Sequence, residues 1–199
     1  LTLVMANLDI LEAEIGENEW LSDIRSEGER MSALVDQLVV LARMDEDQTN
    51  LKMQSFSLSD MIMDVFSEFQ MLAQERGTSM EVRMDPKVDV VGDEAAVRRV
   101  ISILLDNAVK YCDRGGSIRI RLEKKKHPVL YVENTYTDAG ETDIDKLFDR
   151  FYRADKARTF TGGFGVGLSN AKAIVTQHEG EISAYQKDAE PIGFKVIWR

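Results

Sequence analysis

The sequence predicts an α+β protein in two parts. Residues 1–46 form a helical hairpin expected to pair with a second copy as a dimeric four-helix bundle, and residues 51–199 place helices on one face of a mixed sheet. Three observations carry this reading. Apolar residues in the first fifty positions step by three and four along two stretches. After Asn50, helical and strand periods follow one another without strict βαβ alternation. Apolar residues make up 44% of 199, enough for a core, yet no run reaches the roughly 18 residues of a membrane span.

In the hairpin the first seam is Leu1, Val4, Leu8, Leu11 and Ile15, and the second, after a break at Gly16-Glu17-Asn18, is Leu21, Ile24, Gly28, Met31, Val35, Leu38 and Ala42. A lone hairpin leaves its outer seam in water, so it must be covered by a second copy or by the rest of its own chain. The polar stretch 45–50 reads as a hinge. Ser57, with Asp60 three residues later, caps a helix with the stripe Met61, Ile62, Val65, Phe66, Phe69, Leu72 and Ala73, closed by Gly77. Strands are expected at 79–84 and 88–91. Asp93 then caps a second helix whose inward face is Val97, Val100, Ile101, Leu104, Leu105 and Ala108, with Gly115-Gly116 as the stop. Strands at 117–122 and 129–132 pair around a turn at 123–127; a last helix runs from near Gly165 to about His178, and strands at 181–185 and 193–198 finish the chain.

The formal charge of −10 is unevenly spread. Residues 1–50 carry twelve acidic and three basic side chains, whereas 146–172 set Lys146, Arg150, Arg153, Lys156, Arg158 and Lys172 against Asp149 and Asp155 alone. A short cationic segment in an acidic chain suits a small anion and not a nucleic acid, whose partner surface would be broadly basic. Cys112, the sole cysteine, allows neither an internal disulfide nor a cysteine zinc site, which fits a reducing compartment.

Two constellations point to phosphate chemistry. The run Thr161-Gly162-Gly163-Phe164-Gly165-Val166-Gly167-Leu168 feeds a helix, and glycines there leave backbone N–H groups open to an anion; the spacing is neither a Walker A loop nor a GxGxxG dinucleotide fingerprint. Asn107, Lys110 and Tyr111 share one helix face at i, i+3 and i+4. An amide oxygen suits Mg2+, and a lysine can meet a phosphate as a point charge.

In this order and spacing the segments resemble the boxes of sensor histidine kinases of two-component systems. Residues 104–111 (LLDNAVKY) look like the N box, 148–153 (FDRFYR) like the F box, and 163–168 (GFGVGL) like the G2 box, with 178–182 (HEGEI) typical after the last helix. Residues 1–46 look like the dimerisation and histidine-phosphotransfer hairpin before the catalytic domain. The resemblance implies a Bergerat-type ATP-binding sandwich with ATP and Mg2+ as cofactors. It implies that Asn107 holds the metal, that Lys110 and Tyr111 contact the nucleotide, and that 153–163 is a lid over it. Gly163, Gly165, Val166, Gly167 and Leu168 would admit the phosphates, while Arg150 or Arg153 would supply charge to the γ-phosphate. It further implies a homodimer through the hairpin, a response regulator as partner, no nucleic acid, and a cytoplasmic location with membrane attachment only through upstream segments.

The match departs from the family pattern in three places. The phosphoacceptor H box, His-Glu-Leu-Arg/Lys-Thr-Pro, would precede Leu1-Thr2, and neither His127 nor His178 replaces it, so the chain is expected not to phosphorylate itself on histidine. Ile103 stands where many members carry a second asparagine. The G1 box, usually Asp-x-Gly-x-Gly, corresponds to 134–138 (NTYTD), which puts Asn134 at the adenine-reading position as a neutral acceptor. Two alternatives keep part of this reading: a degenerate, non-catalytic dimeric module of the same fold, and a related Bergerat-fold ATPase or serine kinase.

Overall fold

A computed structural model describes residues 2–16, 18–28, 31, 51–137, 142–152, 165–186 and 191–199. The chain divides into two units, Leu1–Asn50 and Leu51–Arg199.

In the first unit, α1 spans Thr2–Ile15 and α2 is helical over 19–28. Gly16 turns the chain at φ +77°, a backbone region glycine enters without steric cost. The Asn18 side chain then accepts from the Leu21 N–H at 2.9 Å and caps α2. Leu8 and Leu21 are buried. One Arg25 Nη2 donates to Asp9 at 2.7 Å and Glu12 at 2.5 Å, tying α2 to α1. These two carboxylates raise the pKa of the guanidinium. The hinge at 45–50 and the later seam residues Val35, Leu38 and Ala42 lie outside the described residues.

In the second unit, a five-stranded sheet has the order β2-β4-β5-β7-β6: β2 (Ser79–Met84), β4 (Ser117–Glu123), β5 (Val129–Asn134), β7 (Ile192–Ile197) and β6 (Glu181–Gln186). β2 runs parallel to β4 and every other pair is antiparallel. Alternation puts Ile118, Ile120 and Leu122, Leu130 and Val132, and Phe194 and Val196 on the inner face. Against this face pack α3 (Leu58–Glu75), α4 (Glu94–Tyr111) and α5 (Gly167–Gln177), with α3 over β2, α4 over β5 and α5 over β6. α4 sits between the other two helices, and its Val97, Val100, Leu104, Leu105 and Ala108 are fully buried.

The opposite sheet face has no helix over it among the described residues, and carries Arg119, Arg121, Tyr131, Glu133 and Tyr185. The Tyr185 ring lies across Gly193, where a Cβ would come within 2.5 Å of it. Its hydroxyl donates to Glu133 Oε1 at 2.7 Å, bridging β6 to β5 over the intervening β7. Burial, and then the acceptor carboxylate, hold this phenol well above its ordinary pKa.

Two sequence expectations are corrected, and two elements appear that the sequence does not announce. Met53–Ser57 is a strand, β1, paired antiparallel with β3 (Asp89–Asp93); its polar MQSFS pattern lies in a two-stranded ribbon with little burial, so no alternation announced it. The strand expected at 88–91 is displaced accordingly, because Val88 N and O are taken by contacts to Ser59 and Leu58. Leu72 is half exposed at the rim of a groove between α3 and α4, not in the inward stripe. A short 3-10 helix, Ile144–Lys146, was also unforeseen.

Both predicted helix starts hold. Ser57 Oγ accepts from Asp60 N at 3.2 Å, and Asp93 Oδ1 accepts from Ala96 N at 3.0 Å. The second Asp93 oxygen accepts from Lys52 N at 3.0 Å, so one carboxylate starts α4 and fastens the strand before it. The bonds from Ala96 and Lys52 hold Asp93 below the usual carboxylate range. A depressed native value adds stability above the unfolded carboxylate pKa and loses it as pH falls through the native value. Asp93→Ala is therefore expected to cost about 1 kcal/mol near neutrality. In urea titrations at several pH values that difference should shrink below about pH 4.

Candidate nucleotide site

α4 and α5 run antiparallel, with Gly167 beside Ile103 and His178 beside Asp93, so the start of α5 packs on the C-terminal half of α4, the half that carries Asn107, Lys110 and Tyr111. Ile103, Asn107, Lys110 and Tyr111 follow one another along one side of α4 and are all half-buried. Gly167, the first residue of α5, packs on this stripe: a Cβ there would lie 3.5 Å from Ile103 Cγ2. Ile103 thus serves as the apolar seat of α5 at the position where an asparagine was noted as missing. Lys110 Nζ stands 5.9 Å from the Tyr111 ring centre, a cation over an aromatic face.

The start of α5 differs from those of its neighbours. α3 and α4 each have a side chain over their first N–H groups, whereas the N-cap of α5, Val166, offers no side-chain hydrogen bond. Val166 and Leu168 are buried and hold the backbone in place. A helix N-terminus fixed by apolar anchors and lacking a capping oxygen has donors, and the positive end of the helix dipole, to offer an anion.

Gly165 closes this turn at φ +73°, and its Cβ would sit 2.6 Å from Tyr152 O, so no other residue fits. The approach joins two sequence segments, since Phe151 N donates to Gly165 O at 2.9 Å. Phe151 itself takes φ +67°, an uncommon conformation for a bulky residue, and is 59% exposed. Phe148 anchors the same segment by edge contact with Phe194 of β7 and by the ammonium of Lys172 above its ring. Arg150 is exposed beside it, and Lys146 is drawn to Asp143 at 2.7 Å. Arg153 and Gly163, like the rest of the lid expected at 153–163, lie outside the described residues.

Asn134 ends β5 on the inner face, 2% exposed, level with Ile118 of β4 and Ile192 of β7. It is a polar side chain in an apolar row, and its Nδ2 donates to Thr135 O at 3.3 Å. Sequence reasoning missed what secures it. Thr135 Oγ1 accepts from Ser117 N at 2.9 Å and lies 3.3 Å from Cys112 Sγ; Thr135 O accepts from Asp113 N at 3.1 Å. The Asp113 carboxylate in turn accepts from Thr137 N and Oγ1, both at 2.9 Å. Gly116 gives this network room, because a Cβ there would fall 2.0 Å from Thr135 Oγ1. The signal available was an aspartate between a helix end and a Gly-Gly turn, a position where Asp binds nearby backbone.

The donor set fits a Mg-nucleotide. It offers an amide oxygen on a rigid helix, a lysine beside it, an open helix N-terminus with glycine clearance, and a buried amide at the end of the core. Among the described residues no cluster of His, Cys, Asp or Glu forms a separate metal site, and no helix is long and apolar enough to cross a membrane.

Comparison with known proteins identifies the family. The model of the histidine kinase-, DNA gyrase B- and HSP90-like ATPases matches residues 92–199. The sensor protein DltS of Streptococcus agalactiae is 32% identical over 185 residues, covering 92% of this chain and 47% of DltS. The sensor histidine kinase CusS of Escherichia coli K12 is 36% identical over 169 residues, covering 84% and 35% respectively. The chain thus spans about half or less of these curated relatives. Full-length ShkA in complex with AMPPNP superposes with a TM-score of 0.72 at 17% identity, over 90% of this chain and 38% of ShkA. The chain belongs to the histidine kinase-, DNA gyrase B- and HSP90-like ATPase family, and its relatives are sensor histidine kinases.

Proposed function

We propose that this chain is the ATP-binding catalytic portion of a two-component sensor histidine kinase, which moves the γ-phosphoryl group of ATP to a histidine outside residues 1–199 and thence to a response-regulator aspartate. The observation that carries this is the packing of the uncapped, glycine-bearing start of α5 beside Ile103, on the helix that carries Asn107, Lys110 and Tyr111. The AMPPNP bound to ShkA supports the choice of nucleotide.

In this reading the Asn107 amide oxygen holds Mg2+, and the first N–H groups of α5, at Gly167 and Leu168, meet the phosphates with Gly163, Gly165 and Val166 giving clearance. Lys110, Arg150 and Arg153 bring positive charge to the transferring group, Tyr111 lines the nucleotide, and the Asn134 oxygen accepts from the adenine amine. Bound Mg-ATP supplies the phosphoryl group and metal charge; the chain contributes position and electrostatics, the main requirements of this chemistry.

Neither histidine of the chain is the acceptor. His178 is 4% exposed with both ring nitrogens in hydrogen bonds, Nε2 to Asp93 N at 3.0 Å and Nδ1 to Ile174 O at 2.8 Å. His127 sits in a bend of the connection between β4 and β5, outside every box. The hairpin has an outer seam of its own: Val4 and Leu11 on α1, and Ile24 and Met31 seven residues apart on the second helix, are each 43–51% exposed. A second copy covers this seam in the functional homodimer, and the parent protein is tethered to the membrane through segments outside this chain. A second reading, a nucleotide-binding module that transfers nothing, is favoured by Ile103 and by Asn134 in place of a carboxylate.

Mg-ATP is expected to bind in calorimetry at micromolar to sub-millimolar Kd, about −4 to −8 kcal/mol, with Asn107→Ala removing the Mg2+ dependence. No saturation at millimolar ATP would retire the site. Incubated with labelled ATP, the chain should gain no acid-labile, base-stable phosphate; transfer to a supplied histidine-bearing hairpin separates kinase from silent module. Sedimentation should give a dimer for the wild type and a monomer for Leu11→Glu combined with Ile24→Glu.

A further inference from the structure

The distal ends of α4 and α5 are joined by a hydrogen bond that no nucleotide contact requires. His178, just past the end of α5, accepts from the Asp93 N–H through Nε2 at 3.0 Å; an N–H can only donate, so this nitrogen carries no proton. Its Nδ1, 2.8 Å from Ile174 O, therefore holds the proton and donates it back into the last turn of α5. The ring is buried, edge-on to Trp198 at 5.9 Å between ring centres, and it presses on Gly92, where a Cβ would lie 2.9 Å from His178 Cδ2.

Asp93 is the residue whose carboxylate starts α4. The imidazole thus grips the N-cap residue of the helix that bears Asn107 while standing at the C-cap of the helix that Gly167 begins. At the other end of α5, Gly167 packs beside Ile103, where a Cβ would lie at van der Waals distance, 3.5 Å from Cγ2. At about 1.5 Å per residue, the ten residues from Asp93 to Ile103 and the eleven from Gly167 to His178 span about 15 and 16 Å. The matched lengths leave α5 pinned to α4 at both ends. Without the distal pin, α5 can slide, and a shift near 1 Å is large where phosphate donors must meet a metal ligand on another helix.

We propose that His178, as a neutral Nδ1-protonated imidazole, is a positioning residue that sets the axial register of α5 on α4 and so aligns the Gly165–Leu168 turn with Asn107 and Lys110. The proposal rests on the nucleotide reading above. His178→Phe keeps the ring's bulk against Trp198 and removes both hydrogen bonds, whereas His178→Gln returns an acceptor to the Asp93 N–H. Gly92→Ala displaces the ring and leaves its chemistry intact.

With folding checked by far-UV circular dichroism, three readouts apply to the whole chain: Mg-ATP affinity by calorimetry, the backbone amide resonances of Gly165 and Gly167 without nucleotide, and the 15N resonances of the His178 ring. The wild type should show one protonated and one bare ring nitrogen. His178→Phe and Gly92→Ala should weaken Mg-ATP binding about tenfold and shift the Gly165 and Gly167 amides, and His178→Gln should restore both. A folded His178→Phe with wild-type affinity and unmoved amides would overturn the proposal. If that variant does not fold, unmoved amides and unchanged affinity in Gly92→Ala would do the same. A wild type that fails to bind Mg-ATP sinks the nucleotide reading, while the amide shifts of the free chain still decide the pin.

Discussion

Everything in the catalytic unit depends on how closely α5 can lie on α4. The two helices contribute opposite halves of the candidate site, a row of side chains from one and a row of backbone donors from the other, so their spacing is a chemical parameter as much as a packing one. Glycine at 167 brings the backbone of α5 down to Ile103. A Cβ at 167 would already touch Ile103 Cγ2 at 3.5 Å, so a side chain longer than alanine's would have to be accommodated against that residue. An interior packed to crystal-like density transmits such displacements instead of absorbing them. The sheet beneath enforces the same arrangement, because Val100, Leu104 and Val175 are fully buried and cannot rise without opening voids.

Much of this was legible before any coordinates. The apolar stripe of α4 and its Asp93 cap specify the face and the start of the helix, and the structure follows the cap to the residue, while the helix ends at Tyr111, ahead of the Gly115-Gly116 stop. The boxes at 104–111, 148–153 and 163–168 could be read because the first two carry charged or amide side chains at fixed spacing and the third sets three glycines at alternate positions leading into a helix. What could not be read has a common physical character. β1 is mostly exposed, so its pairing with β3 leaves no alternating pattern. The Thr135 network joins a short side chain to the Ser117 backbone across 18 residues and to the Cys112 thiol across 23, which no local period encodes. Ile103 was noted for the amide it lacks; its positive role, a seat for Gly167, emerges only when the two helices are seen together.

Charge follows the same division. The strongly acidic 1–50 segment uses an interhelical cation, Arg25, against Asp9 and Glu12, so its pairing is local and partly screened by solvent. Around the nucleotide end the attractive charge comes from side chains and from an unopposed helix dipole. In the proposed reading such an arrangement draws in a small polyanion over a short range.

The Tyr185 strut across Gly193 has a further consequence for the edge of the sheet. β6 is a terminal strand, and terminal strands are where sheets fray and where foreign strands add. Because the phenol reaches over β7 to Glu133, peeling β6 away must break a bond to a strand two places inward and expose a ring that covers a glycine. Fraying at this margin is thereby coupled to disruption of the sheet centre, which makes the edge open as part of a larger cooperative unit instead of one strand at a time.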